Sequence, residues 1–315
     1  MAKNKASLPV WLRRLTQTAF FLLFLYLFIQ TAFHPINTTG GPVGLFFELD
    51  PLVLLTVWIA THAIASALLL SLVTVVFTLL FGRWFCGWVC PFGALHNFLT
   101  SLRATRLKEK LKTGAYSAWQ KSKYYLLAAL LVGAFVGPNL TGWFDPFSFF
   151  YRSLATVVFP AVNSGLQSIF GWLYEVNPGF GKIRVTAVSE PVYQVLRNYF
   201  LAVEQPHYWG TALLGTLFGI IIALNFFRGR FWCKYVCPLG ALLGVIGKNP
   251  ILRLKTNLDL CNNCRLCVAD CQGGANPHGE DSWKPSECFF CWNCHSDCPS
   301  NAISFKFEVP EVTKR

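Results

Sequence analysis

The stretches CNNCRLCVADC (residues 261–271) and CFFCWNCHSDCP (residues 288–299) each space four cysteines as C-x2-C-x2-C-x3-C. This spacing follows from the shape of a 4Fe-4S cube, because three cysteines at two-residue intervals let a tight loop wrap three of its corners. The fourth cysteine of each run then crosses to the other cube. The pattern assigns Cys261, Cys264, Cys267 and Cys298 to one cluster, and Cys288, Cys291, Cys294 and Cys271 to the other.

Three other chemistries use cysteines at similar intervals. A structural zinc site needs only four ligands in all, and two complete runs exceed that. The segment CWNCH (residues 291–295) satisfies the C-x-x-C-H haem-attachment pattern, but it sits inside a longer pattern that accounts for every cysteine. Disulfides are rare where thiols are kept reduced, which is the compartment the charge distribution below assigns. The expected C-terminal unit, residues 249–315, is therefore a bacterial-type ferredoxin domain of α+β class holding two 4Fe-4S clusters.

The rest of the chain has a different character. Hydrophobic residues make up 54% of the whole and charged residues only 13%, too apolar for a soluble domain of this size. Apolar runs approaching the roughly 20 residues that cross a bilayer core occur at 16–33, within 52–81, at 124–140 and at 209–227. The expected fold over 1–248 is thus all-α and membrane-embedded, with about four transmembrane helices. Thirty residues of helix over 52–81 would measure about 45 Å, so the first part of that run is expected to tilt or lie in the interface. The segment 147–173 is interrupted by Arg152, Pro160 and Asn163 and is read as interfacial helices on the outer face.

Four spans place both termini on one side, and charge decides which. Basic residues number four before the first span, eight over 83–123 and eleven from Arg228 onward, against four in the two intervening loops. The positive-inside rule puts both termini, the 83–123 loop and the cluster runs in the cytoplasm of a multi-pass bacterial inner-membrane protein. Much of the net charge of +12 is this bias, including the cluster RATRLKEKLK (residues 103–112), which a stop-transfer or lipid-facing loop explains without nucleic acid. Lys3, Lys5, Arg13 and Arg14 precede the first apolar run as in a signal peptide, but no small-residue cleavage site follows.

The remaining four cysteines lie in a duplicated motif, GRWFCGWVCPFGAL (residues 82–95) and GRFWCKYVCPLGAL (residues 229–242), offset by 147 residues. Each copy follows the cytoplasmic end of a span, and each half carries an Asp-Pro step, Asp50-Pro51 and Asp145-Pro146. The halves, about 16–112 and 121–248, read as parallel repeats related by an axis along the membrane normal. That symmetry would bring Cys86 and Cys90 opposite Cys233 and Cys237. Four thiolates can hold one further iron–sulfur cluster, although soft thiolates also favour Cu(I), and buried cysteines without any ligand are common singly.

Asp50 and Asp145 are expected to cap helices with proline in the first turn. His62, in an apolar run, is a candidate to hydrogen-bond a quinol, against the reading of a hydrogen-bonded structural histidine. His34 and His207 fall at the outer ends of spans as interfacial anchors, while His96 and His295 show no partner pattern. Trp84, Trp88, Trp232 and Tyr235 fit an interfacial aromatic belt better than an electron wire.

Two C-x3-C-P motifs after membrane spans, followed by the double ferredoxin run, resemble the NapH/NosR/CcoG-type membrane iron–sulfur proteins over about residues 82–303. The resemblance implies electron transfer between the membrane quinone pool and redox partner proteins of a respiratory complex, as in NapH-like quinol dehydrogenase components. It also admits a CcoG-like alternative, copper reduction or metal maturation for an oxidase or other copper enzyme. On this resemblance the architecture is expected to be closest to NapH, without the long outer domain of NosR or the additional C-terminal domain of CcoG.

Overall fold

Asp50 and Asp145 open two helices at the centre of the fold. In the computed structural model, which describes residues 7–33, 43–63, 66–103, 106–176, 179–180, 183–184, 186–199, 210–279 and 282–308, Asp50 Oδ1 accepts from the N–H groups of Leu52 (2.7 Å) and Val53 (3.4 Å). Pro51 takes the first helical position, where no amide donor is needed. Asp145 caps the helix at Pro146 through the Ser148 N–H at 2.8 Å. Both aspartates are fully buried, and their carboxyl groups are hydrogen-bond neighbours. His34 and His207 lie outside the described residues.

The expected first span is the helix Leu8–Phe33. Residues 52–81 do not form one helix. The helix Pro51–Thr61 stops at His62, whose φ of 54° is a left-handed C-cap, and helical structure resumes at Ser66 and runs on through Ser71–Phe81. The two later expected spans are Ser122–Val136 and Thr211–Phe227.

The segment 147–173, expected as separate interfacial helices, is one continuous helix, Pro146–Val176. At 31 residues it is about 46 Å long. Pro160 does not break it because a π-turn at Leu154–Val158 precedes the ring, with the Phe159 N–H reaching back five residues to Leu154 O. Arg152 stacks on Trp143 at 5.4 Å, and Asn163 is buried. By length and composition, Leu8–Thr31 and Pro146–Val176 are long and apolar enough to cross a membrane, while Pro51–Thr61, Ser66–Phe81 and Thr211–Phe227 are apolar but shorter.

The sequence repeat is a structural one. The short helices Trp84–Trp88 and Phe231–Tyr235 each lead into a helix begun by a Cys-Pro step, Pro91–Ser101 and Pro238–Ile246. Gly82 packs against Gly247, and Gly229 packs against Thr100, the position 147 residues before Gly247. Each half therefore makes on the other the contact it receives.

The C-terminal region pairs Leu252–Thr256 antiparallel with Ile303–Phe307, in the register Leu252 to Phe307 through Thr256 to Ile303. Between them stand the single-turn helices Leu266–Ala269 and Asn293–Ser296. This region is docked on the helical part. Gln120 Nε2 donates to Gly273 O (3.1 Å), Trp88 Nε1 to Phe290 O (3.0 Å) and the Ser7 N–H to Ser296 Oγ (3.2 Å).

The basic loop behaves differently from a lipid-facing segment. Its helix Leu107–Gly114 packs on Leu266–Ala269, with Lys110 paired to Asp270 at 2.9 Å. A side chain at Gly114 would meet Val268 O at 2.0 Å, so the two backbones approach too closely for one. The N-terminal helix start, this loop and the C-terminal region consequently share one face of the molecule.

Candidate iron–sulfur centre

Cys90 and Cys237 are N-caps of the helices that begin at Pro91 and Pro238. The Gly93 N–H donates to Cys90 Sγ at 3.4 Å and the Gly240 N–H to Cys237 Sγ at 3.2 Å. The positive ends of both helices thus face sulfur, which favours negative charge there. Cys86 and Cys233, on the preceding short helices, complete a group of four buried sulfurs. Cys90 interacts electrostatically with Cys233 and Cys86, and Cys237 with Cys86, Cys233 and Cys90. Burial, then these neighbours, pushes the Cys90 and Cys237 thiols well above the ordinary cysteine range, and burial also raises Cys233. A bound metal would remove that penalty, because a coordinated thiol is deprotonated outright.

The terminal runs form two further groups. Cys298 lines one small pocket with Cys261, Cys264 and Cys267, together with Arg265 and His278. Cys271 lies within electrostatic range of Cys291 and Cys288, and Cys294 within range of all three. In each group the fourth cysteine of one run has joined the first three of the other. Among the described residues, no three His, Cys, Asp or Glu side chains converge as they would around a single metal ion.

Buried basic residues gather around these sulfurs. Arg13, Arg83, Lys123, Arg230 and Lys234 are each at most 3% exposed, and Glu287, at 2%, is the buried carboxylate among them. Glu287 accepts from Arg83 Nη1 (3.1 Å), from Lys123 Nζ and from the Tyr124 hydroxyl (3.0 Å). The remaining positive charge faces cysteines. Arg83 interacts with Cys86 and Cys237, Arg230 with Cys233, Arg13 with Cys291 and Lys234 with Cys271. Burial pulls Lys234 down to about 8, and Cys271 opposes that fall. Among the described residues, Arg13 Nε and Nη1, Arg83 Nε, and Arg230 Nε and Nη2 have no acceptor.

Buried charges are ordinarily paired or bound to metals, so this excess calls for an anion. A cluster held by four thiolates is negatively charged and offers sulfur acceptors to such donors. The residues present fit that group. Arg83 and Arg230 were part of the duplicated motif, and a charged residue repeated in register beside an apolar span was the signal that sequence reasoning passed over.

One ring joins the groups. Phe289, between Cys288 and Cys291, is 1% exposed, and the guanidinium carbons of Arg83 and Arg230 each lie 4.9 Å from its centroid. Arg83 Nη2 also donates to Cys233 O (3.3 Å), while Arg230 Nη1 donates to Cys86 O (3.1 Å). A side chain at Gly87 would sit 2.4 Å from Phe289 O, so only glycine admits the loop at that position.

A family model described as a 4Fe-4S binding domain matches residues 63–109 and 209–258, the two segments that carry the C-x3-C-P motifs. The ferredoxin-type protein NapH of Escherichia coli is 25% identical over 81% of this chain and 73% of its own. The regulatory protein NosR of Pseudomonas aeruginosa is 27% identical over 69% of this chain and 24% of its own. The chain is similar to the NapH and NosR iron–sulfur proteins, and its two C-x3-C-P segments match the 4Fe-4S binding domain. An uncharacterized protein of Methanocaldococcus jannaschii is 26% identical over 94% of this chain and 95% of its own. No solved structure matches this chain.

Other expected residues fall elsewhere in the fold. His62 is exposed at the end of its helix, away from the buried cysteines. His96 does have a partner. It is fully buried, with Nδ1 2.9 Å from Asn225 Oδ1 and its ring edge-on to Phe92. The aromatic-belt reading is corrected as well. Trp232 is 3% exposed and stacks on Phe149 at 4.9 Å, Tyr235 is buried, and Trp88 bonds the cluster loop. Trp232 and Tyr235 are interior, while Trp84 and Trp88 are half-buried.

Proposed function

We propose that this iron–sulfur electron-transfer protein is a membrane quinol dehydrogenase component with three clusters. Two sit in the terminal runs, as the crossed cysteine groups suggest, and a third is held by Cys86, Cys90, Cys233 and Cys237. When bound, each cluster takes up or releases one electron, so a two-electron quinol needs more than one of them. The observation that carries this reading is Phe289, a ring on the loop between two cluster cysteines that is held by the arginines of both C-x3-C-P motifs.

The chain's own residues have distinct tasks in this reading. Cys90 and Cys237 present sulfur at helix N-termini, and Arg83 and Arg230 supply buried donors and positive charge that favour a cluster's anionic state. Glu287 keeps Arg83 and Lys123 from over-compensating beside Cys288. The orientation proposed from charge puts these groups at the cytoplasmic face of a bacterial inner membrane, where respiratory redox proteins would exchange electrons with them.

A second reading, copper reduction or maturation, rests on the four buried soft thiolates of the repeat site. Both are tested by placing the full chain in liposomes with menaquinol or ubiquinol analogues and following the cluster spectra. Reduction by quinol is expected. Failure of either quinol to reduce the clusters, with copper bound at the repeat cysteines, would transfer the protein to the second reading.

A further inference from the structure

A groove of about 800 Å³ opens where the C-terminal region meets the start of the helix Ser122–Val136. Its volume is that of a small-molecule site. The walls combine Tyr116, Tyr124 and Trp283 with the basic side chains of Lys248, Arg253 and Lys284. Lys284 Nζ stands 4.5 Å from the centre of the Tyr116 ring, and the Tyr124 hydroxyl donates to Glu287 at 3.0 Å.

We infer that this groove binds the quinol headgroup, an inference that rests on the quinol reading above. Flat aromatic walls suit a flat aromatic ring, and ammonium and guanidinium groups at the rim donate to its oxygens. Their positive charge also favours loss of the hydroxyl protons. The groove adjoins the second cysteine run directly, because Glu287 in its wall precedes Cys288 in the chain. His62 has no comparable surroundings.

Access suits an amphiphile. Tyr125 lines the groove, and above it Val132, Phe135 and Val136 on the same helix are 62–78% exposed, an apolar path along which an isoprenoid tail would lie. The mouth of the groove is open to water. On oxidation the quinol gives two electrons to two oxidised clusters of the chain and two protons to water through that mouth, leaving the quinone. No further reactant is required.

The test uses the full chain in detergent. Menadione binding is measured by calorimetry, and cluster reduction by menadiol is followed spectroscopically. Lys248→Glu/Lys284→Glu and, separately, Tyr116→Leu should weaken menadione binding and raise the KM for menadiol by about tenfold or more, a change of about 1.4 kcal/mol. Iron content and reduction by dithionite should stay at wild-type values. An unchanged Kd and KM in both variants, with menadiol still reducing wild type, overturns the groove while leaving the quinol reading intact. A wild-type protein that menadiol does not reduce overturns both.

Discussion

Asp50 and Asp145, the N-caps of two helices in different halves of the chain, turn their carboxyl groups toward each other in the protein interior. Asp50 Oδ2 and Asp145 Oδ1 meet no N–H or O–H donor among the described residues. Two carboxylates so placed cannot both be ionised, and a proton held between them satisfies both orphan oxygens.

Asp50→Asn and Asp145→Asn are therefore expected to be mild. Asparagine caps as well as aspartate and brings its own N–H to the pair, whereas either alanine variant loses a cap, costing about 1–2 kcal/mol. Thermal unfolding of the purified chain checks this. An asparagine variant as unstable as the alanine one would mean that no proton is shared.

Glu287→Gln should be far more damaging. It strips Arg83 and Lys123 of the buried carboxylate they share, and breaking a buried pair from one side costs about 3–5 kcal/mol. Adding Lys123→Met to Glu287→Gln should recover part of the loss, because one stranded charge is removed with it. Melting temperatures of the wild type, the single variant and the double variant decide the matter, and a double variant no better than the single would refute the charge argument.

The repeat site should behave as a unit. Cys86→Ala and Cys233→Ala are each expected to lower iron from about 12 to about 8 atoms per chain, and the double variant should lose no more than either single one. Iron and acid-labile sulfide analysis measures this. Unchanged iron in both single variants would remove the third cluster, and loss of copper in place of iron would favour the maturation reading.

Topology is accessible to reporter fusions. Fusions after Arg103 and Arg315 should both report the cytoplasm, because the Leu107–Gly114 helix is bonded to the C-terminal region through Lys110 and Asp270. A fusion near Ser189 should report the outside. Opposite readings at Arg103 and Arg315 would contradict the shared face.

Much of this arrangement was legible in the amino-acid order because it depends on short-range spacing. The crossed cysteine groups follow from C-x2-C-x2-C-x3-C, and the Asp-Pro caps are local by nature. The longer helix Pro146–Val176 was not legible, since proline and asparagine in an apolar run read as interruptions unless a π-turn is known to absorb them. Glu287 and Phe289 were hidden for another reason. Nothing beside Cys288 in sequence announces that Arg83 and Arg230, far away along the chain, will close on those two side chains.

That closure sets an order of events during biosynthesis. Arg83 and Arg230 both leave the ribosome before Phe289, so their shared contact with that ring forms only after the Cys288–Cys291 loop has emerged. Cys86, Cys90, Cys233 and Cys237 are all buried in the folded chain. In the three-cluster reading, iron and sulfide would therefore have to reach these cysteines before the Phe289 loop closes over them.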